Sequence, residues 1–127
     1  MNFEDAKILI CDDSILARRQ LKEMISSFGE CNIIEASNGQ ECIDLYQTYL
    51  PDLVFLDIVM PIKDGHSAIS EIMEDHPNAD IVIVSSVGTQ TQLRHAIQLG
   101  AKDFIQKPLN RRQIESILNT RFEGGIK

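Results

Sequence analysis

The stretch Leu53-Val54-Phe55-Leu56-Asp57-Ile58-Val59-Met60-Pro61-Ile62-Lys63-Asp64-Gly65 decides how the rest of the chain is read. Its first four residues form an unbroken apolar run, too short for a helix and suited to a strand buried on both faces. Asp57 follows at once. Pro61 has no N–H to give a ladder, so pairing has ended by there, and Asp64-Gly65 marks a turn ahead of the next helix. A carboxylate at the carboxyl end of a buried strand, beneath an irregular loop, stands where open α/β sheets place ligand chemistry. Aspartate at such a point also caps turns, so what the other strands end in decides between the two.

Upstream, Lys7 to Cys11 reads as a first strand running into Asp12 and Asp13. Ser14 can cap a helix carrying Leu21, Met24, Ile25 and Phe28 at helical spacing and stopped by Gly29. Cys31 to Glu35 is a second strand. Asn38 with Glu41 resembles a capping box and opens a helix whose inner face is Cys42, Leu45, Tyr46 and Tyr49, ended by Pro51. Downstream, Ile69, Ile72 and Met73 mark a third helix closed near Pro77. Ile81 to Val84 is another fully buried strand, running into Ser85 and Ser86. Leu93, Ala96 and Ile97 line a fourth helix before Gly100, and Phe104-Ile105 sit in a short fifth strand before Lys107-Pro108. Ile114, Ile117 and Leu118 face inward on a last helix. The expected domain is single, with a core over about residues 6–121 and a frayed tail at 122–127.

Five β–α units with apolar strands predict an α/β fold: a five-stranded parallel sheet with helices on both faces. In the flavodoxin-like order 2-1-3-4-5, the ends of strands 1 and 3 lie side by side at the switch point. Asp12, Asp13 and Asp57 then share one rim, and Ser85 and Lys107 end strands 4 and 5 on the same edge.

Composition narrows the function classes. The chain has 127 residues, 43% hydrophobic and 24% charged, as expected of a soluble globular domain. A net charge of −7 argues against nucleic-acid binding. The apolar runs are too short to cross a bilayer, and Met1 to Lys7 has no signal-peptide pattern, so no membrane association is expected. Cys11, Cys31 and Cys42 form no CxxC pair and read as reduced core thiols, which suits a cytoplasmic location. His66, His76 and His95 lack metal-ligand spacing.

Three crowded carboxylates repel one another unless cations compensate. Lys107 supplies one charge, and a divalent ion supplies two. An all-oxygen donor set favours a hard ion such as Mg²⁺, which commonly uses a carboxylate or two plus a phosphate. The rim therefore suits phosphoryl handling. Asp57 is the candidate nucleophile, Asp12 and Asp13 hold the metal, and Lys107 and the Ser85 hydroxyl bind phosphoryl oxygens.

The runs Ile10-Cys11-Asp12-Asp13-Ser14, Leu56-Asp57-Ile58-Val59-Met60-Pro61 with Asp64-Gly65, Val84-Ser85-Ser86, and Gly100-Ala101-Lys102-Asp103-Phe104 with Lys107-Pro108 resemble a response-regulator receiver domain over nearly the whole chain. The order 2-1-3-4-5 is the order that CheY-like receivers themselves exemplify. The resemblance implies that Asp57 takes a phosphoryl group from a phosphohistidine of a sensor histidine kinase, with Mg²⁺ required. It also implies a metal site made by Asp12, Asp13, Asp57 and the backbone carbonyl of Val59, a switch hydroxyl at Ser85, a switch aromatic at Phe104 and a phosphate-binding Lys107. With no output segment after the last helix, the stand-alone CheY-like class is expected. Its partner would be a flagellar motor switch or another chemotaxis protein, with a phosphatase as a further partner. The changing face is that of the fourth helix, fifth strand and fifth helix, with Gln92, Arg94, His95, Gln106, Asn110, Arg111 and Arg112 as exposed candidates.

Two departures carry expectations. Val59 and Val87 flank the path of an attacking water and predict slow self-catalysed loss of the phosphoryl group. Phe104 replaces the commoner tyrosine, so its two states differ by packing alone. Other readings are a phosphorelay intermediate, a small metal-dependent phosphatase and an FMN protein. The phosphatase would want an acid where Val59 stands, and the Cys11-Asp12-Asp13-Ser14-Ile15 turn would repel a flavin phosphate.

Overall fold

The computed structural model describes residues 1–86 and 90–122. The elements in order are β1 (Lys7–Cys11), α1 (Ile15–Ser26), β2 (Asn32–Ala36), α2 (Gly39–Tyr49), β3 (Leu53–Asp57), α3 (Gly65–Asp75), β4 (Ile81–Ser85), α4 (Gln90–Leu99), β5 (Asp103–Gln106) and α5 (Arg111–Arg121), after a 3₁₀ turn at Phe3–Asp5. All strand pairs are parallel, in the order β2-β1-β3-β4-β5. The expected fold class is observed.

Alternate strand residues divide between two cores, as the two-residue period of a strand requires. Leu9, Cys11, Val54, Leu56, Ile81 and Ile83 pack with α2, α3 and α4 through residues such as Tyr46, Ile69, Ile72 and Ala96. Ile8, Ile10, Leu53, Phe55, Val82, Val84 and Ile105 pack with α1 and α5 through Leu21, Ile25, Ile114 and Leu118. Both faces of β3 are covered, so all five of its residues are buried, Asp57 included. Among the described residues, no helix is long and apolar enough to cross a membrane.

Helix starts follow their local signals. Ser14, Asn38, Asp64 and Asn110 each accept a backbone N–H from the first turn of the following helix. Gly29, at φ +141°, lies just beyond α1.

Several expectations need correction. β2 begins one residue later than Cys31 and runs to Ala36, whose carbonyl accepts the Asp12 N–H. The Glu41 carboxylate turns to Ser37 rather than closing a box with Asn38. On α2, Ile43 faces inward, while Tyr49, the last residue of the helix, is exposed. Ile97 is exposed too: it lies about 100° round the helix from Ala96, off the packed stripe. The core also reaches past both expected limits, because Phe3 and Phe122 are buried with ring centroids 5.7 Å apart. Residues 123–127 of the expected tail lie outside the described residues. Cys11 and Cys42 are buried free thiols with Sγ atoms 2.7 Å apart, whereas Cys31 is half-buried.

Candidate functional site: an acidic pocket at the carboxyl edge of the sheet

The register sets the site. Cys11 pairs with Leu56, and Asp57 with Val84, so the residues after β1, β3 and β4 emerge at one level. Ligand oxygens of Asp12, Asp13 and Asp57 lie within 4.8 Å of one another. Asp12 and Asp57 are 5% and 8% exposed, whereas Asp13 is open to solvent.

Lys107 reaches the pocket from the end of β5. Its Nζ donates to Asp12 Oδ2 at 2.7 Å and to Asp57 Oδ2 at 3.3 Å. Its own N–H donates to the Ser85 carbonyl at 2.8 Å, which fixes the lysine backbone to β4. Ser85 is buried one position beyond the level of Asp57. The other carboxylate oxygen of Asp57 accepts the Val59 N–H at 3.1 Å, while the Val59 side chain is 63% exposed. Phe104 is 45% exposed, its ring outside the core.

The titration behaviour matches this crowding. Burial pushes the Asp57 carboxyl above its ordinary value and Asp12 adds to it; the Val59 N–H and Lys107 oppose the rise without cancelling it. For Lys107, burial acts to lower the value. The hydrogen bond to Asp12 and the charges of Asp57 and Asp12 outweigh burial and hold the ammonium above the usual lysine range. One ammonium is therefore shared between Asp12 and Asp57 beside a third acid, Asp13, and ionisation of Asp57 remains unfavourable. The all-oxygen donor set, the 4.8 Å span and this residual negative charge fit a small hard divalent cation.

The β3–α3 loop is closed tightly over Asp57. The Gly65 N–H donates to the Ile58 carbonyl at 2.8 Å. A Cβ on Gly65 would lie 2.6 Å from Ile58 Cα and 2.7 Å from the Asp57 carbonyl oxygen, both backbone atoms. Gly65→Ala is therefore expected to displace the segment bearing Asp57, costing about 1–3 kcal/mol in urea unfolding and slowing any reaction of that carboxylate. Unchanged stability together with an unchanged reaction rate would refute the tight-closure account.

Some expected residues play other parts. Arg111 is folded back onto α1: its guanidinium lies 4.1 Å from the Phe28 ring centroid and its Nη1 donates to Ser27 Oγ. Gln92 is half-buried, and its carbonyl lies 3.1 Å from His66 Nε2. Gln92 is thus only partly exposed, whereas Arg111 is exposed as expected although its guanidinium is engaged. Val87 lies outside the described residues. Conversely, Arg18 went unnoticed in the sequence, yet its Nη1 donates to the Asp12 carbonyl at 2.7 Å. Its one local signal is a basic residue in the first turn of a helix, where acids are preferred.

Comparison with known proteins agrees with this site. The response regulator receiver domain family matches residues 8–119. The chemotaxis protein CheY of Thermotoga maritima is 42% identical over 113 residues, covering 89% of this chain and 94% of that protein. CheY of Bacillus subtilis is 38% identical over the same coverage. Among solved structures, the CheX-CheY-BeF3-Mg complex of Borrelia burgdorferi contains a chain 34% identical, with a TM-score of 0.85, covering 91% of this chain and 87% of that one. With the acid pocket, the strand order and the family match in agreement, this chain belongs to the response-regulator receiver family.

Proposed function

We propose that this chain works as a CheY-like response regulator in chemotaxis, as one receiver unit in the cytoplasm. Asp57 accepts a phosphoryl group from a sensor histidine kinase, and acceptance alters the α4–β5–α5 face that a downstream chemotaxis protein binds. The observation that carries this reading is the meeting of Asp12, Asp13 and Asp57 with the Lys107 ammonium at one sheet edge.

In the transfer, an Asp57 carboxylate oxygen attacks phosphorus, a P–O bond forms, the P–N bond breaks and the donor imidazole leaves with the electron pair. Lys107 is already within hydrogen-bond reach of Asp57 and can follow its charge onto the phosphoryl oxygens. Asp12, Asp13 and Asp57, with the Val59 carbonyl, would hold Mg²⁺, which when bound neutralises the crowded carboxylates and the incoming phosphoryl oxygens. Relatives named as CheY, one of them in a crystal with CheX, BeF3 and Mg, support both the cation and a chemotaxis partner.

The added charge, about −1.5 to −2 units, favours a state in which the Ser85 hydroxyl moves to the phosphoryl group and Phe104 turns inward to fill the space. That is a population shift between two packings. Arg94, His95, Gln106, Asn110, Arg111 and Arg112 are the exposed candidates on the responding face.

The test is intact mass after incubation with acetyl phosphate and Mg²⁺. Wild type gains one phosphoryl group and Asp57→Asn gains none; no gain on wild type would overturn the proposal. The apolar Val59 side chain has no group to orient a water beside Asp57, so decay of the phosphorylated form is expected to be slow. Val59→Asn is expected to accelerate it, by at most about 10²-fold, the lower end of the range for a positioned proton-transferring group. An unchanged decay rate would remove the role given to Val59.

A further inference from the structure

Each of the four polar atoms of Asp12 is engaged. Its N–H donates to the Ala36 carbonyl of β2 at 3.1 Å, and its two carboxylate oxygens accept from the Ser14 N–H at 2.9 Å and Lys107 Nζ at 2.7 Å. The carbonyl accepts from Arg18 Nη1 at 2.7 Å. Three of these partners are backbone groups or the pocket's own lysine. The fourth is a side chain reaching back from the first turns of α1.

Arg18 is itself held. Its Nε donates to Glu35 Oε1 of edge strand β2 at 3.2 Å, and the other Glu35 oxygen lies 3.6 Å from Lys22 Nζ. The Arg18 side chain is only 15% exposed. The guanidinium thus spans from the end of β1 to β2, using two edges of its rigid fork on two acceptors. Helix stability does not account for a cation here. The first turn of α1 lies at the positive end of the helix dipole and carries no acid.

We infer that Arg18, oriented by Glu35, is a positioning residue that fixes the Asp12 main chain and so aims the Asp12 carboxylate at the cation. This rests on the reading of the acidic pocket as a Mg²⁺ site. The pairing with Glu35 has a second consequence. A bare guanidinium next to a cation site repels the cation, and Glu35 offsets that charge while leaving the hydrogen bond to Asp12 in place.

Charge and geometry predict opposite signs, which makes the inference sharp. If Arg18 acted only as a nearby positive charge, removing it would tighten Mg²⁺ binding. If it positions Asp12, removing it weakens binding, by about tenfold for an outer partner of a metal ligand. Glu35→Gln leaves an uncompensated, loosened guanidinium and also weakens binding. In an Arg18→Ala background, Glu35→Gln has nothing left to orient and is silent, so the two substitutions are non-additive.

The experiment titrates Mg²⁺ alone into the full, unphosphorylated chain, followed by calorimetry and by the amide signals of Asp12, Asp13 and Asp57, with thermal unfolding in chelator as the check on folding. Wild type is expected to saturate; a wild type that binds no Mg²⁺ would defeat the metal reading itself, and this inference with it. Given wild-type binding, weaker binding in Arg18→Ala with a silent Glu35→Gln in that background supports the inference. Equal or tighter binding in Arg18→Ala overturns it. Should Arg18→Ala not fold, Arg18→Gln decides: neutral and long enough to offer one N–H, it is expected to bind more weakly than wild type, and equal or tighter binding there also overturns the inference.

Discussion

Gly39→Ala is expected to destabilise the protein by about 2–3 kcal/mol, at the upper end of overpacking penalties, and to lower Tm by roughly 10 °C. Gly39 is the first residue of α2, directly after its cap Asn38. A Cβ there would stand 2.0 Å from the Lys63 carbonyl oxygen, 2.6 Å from its carbon and 2.9 Å from its Cβ. The two nearest of these atoms are backbone, so no side-chain rotation relieves the clash. Helix propensity alone predicts the reverse, since alanine is favoured over glycine by about 1 kcal/mol inside a helix. The sign of the change therefore separates the two accounts. The loop pushed away runs from Asp57 to α3 and is tied to it by the Lys63–Glu71 ion pair, so the Asp57 carboxylate is expected to shift as well. Chemical denaturation with the Mg²⁺ titration measures both; a more stable variant would show that the close approach does not govern this junction.

The second large effect is expected at Lys107. Lys107→Ala leaves two buried carboxylates facing each other without their shared ammonium. Removing one partner of a fully buried pair costs about 3–5 kcal/mol. The Lys107 side chain is 25% exposed, so screening reduces the expected loss to roughly 2 kcal/mol in chelator near neutral pH.

The pH dependence has a definite sign. The Asp57 value is raised by burial, so its ionisation already counts against the fold once pH rises through that value, and removal of Lys107 enlarges the cost. Acidification that protonates Asp57 in both states removes this part of the difference from wild type. At the alkaline end, the raised Lys107 value means that the stabilisation from its charge is complete below the ordinary lysine value. It is lost as pH rises through the higher folded value, so the difference narrows there too. The stability gap between wild type and variant should thus be widest between these limits. Millimolar Mg²⁺ should raise Tm more in the variant than in wild type, because the divalent ion no longer competes with the ammonium. A gap independent of pH and of Mg²⁺ would mean that Lys107 acts through packing alone.

Local signals are strong in this chain where a few neighbouring residues decide the outcome. Caps at Ser14, Asn38, Asp64 and Asn110 need only one side chain and the next turn. The apolar runs at Leu53–Leu56 and Ile81–Val84 can be satisfied only by burial on two faces, and the alternation of such strands with amphipathic helices admits few folds. Those features sufficed for a parallel α/β sheet and for the residues at the strand ends, whereas the strand order came from the known flavodoxin-like pattern.

What required tertiary structure depends on neighbours remote in sequence. Lys107 meets acids 50 and 95 positions away, and the distances that shift the Asp57 and Lys107 titrations exist only after the sheet has formed. Ile43 rather than Tyr49 faces the core because the packed stripe of α2 follows the sheet beneath it, not hydrophobicity alone. Arg111 is engaged by Phe28, and Arg18 holds the Asp12 carbonyl, because helices and strands far apart in the chain bring those partners within reach. A linear pattern encodes period and local capping; which partner fills a given space is settled only when the whole sheet closes.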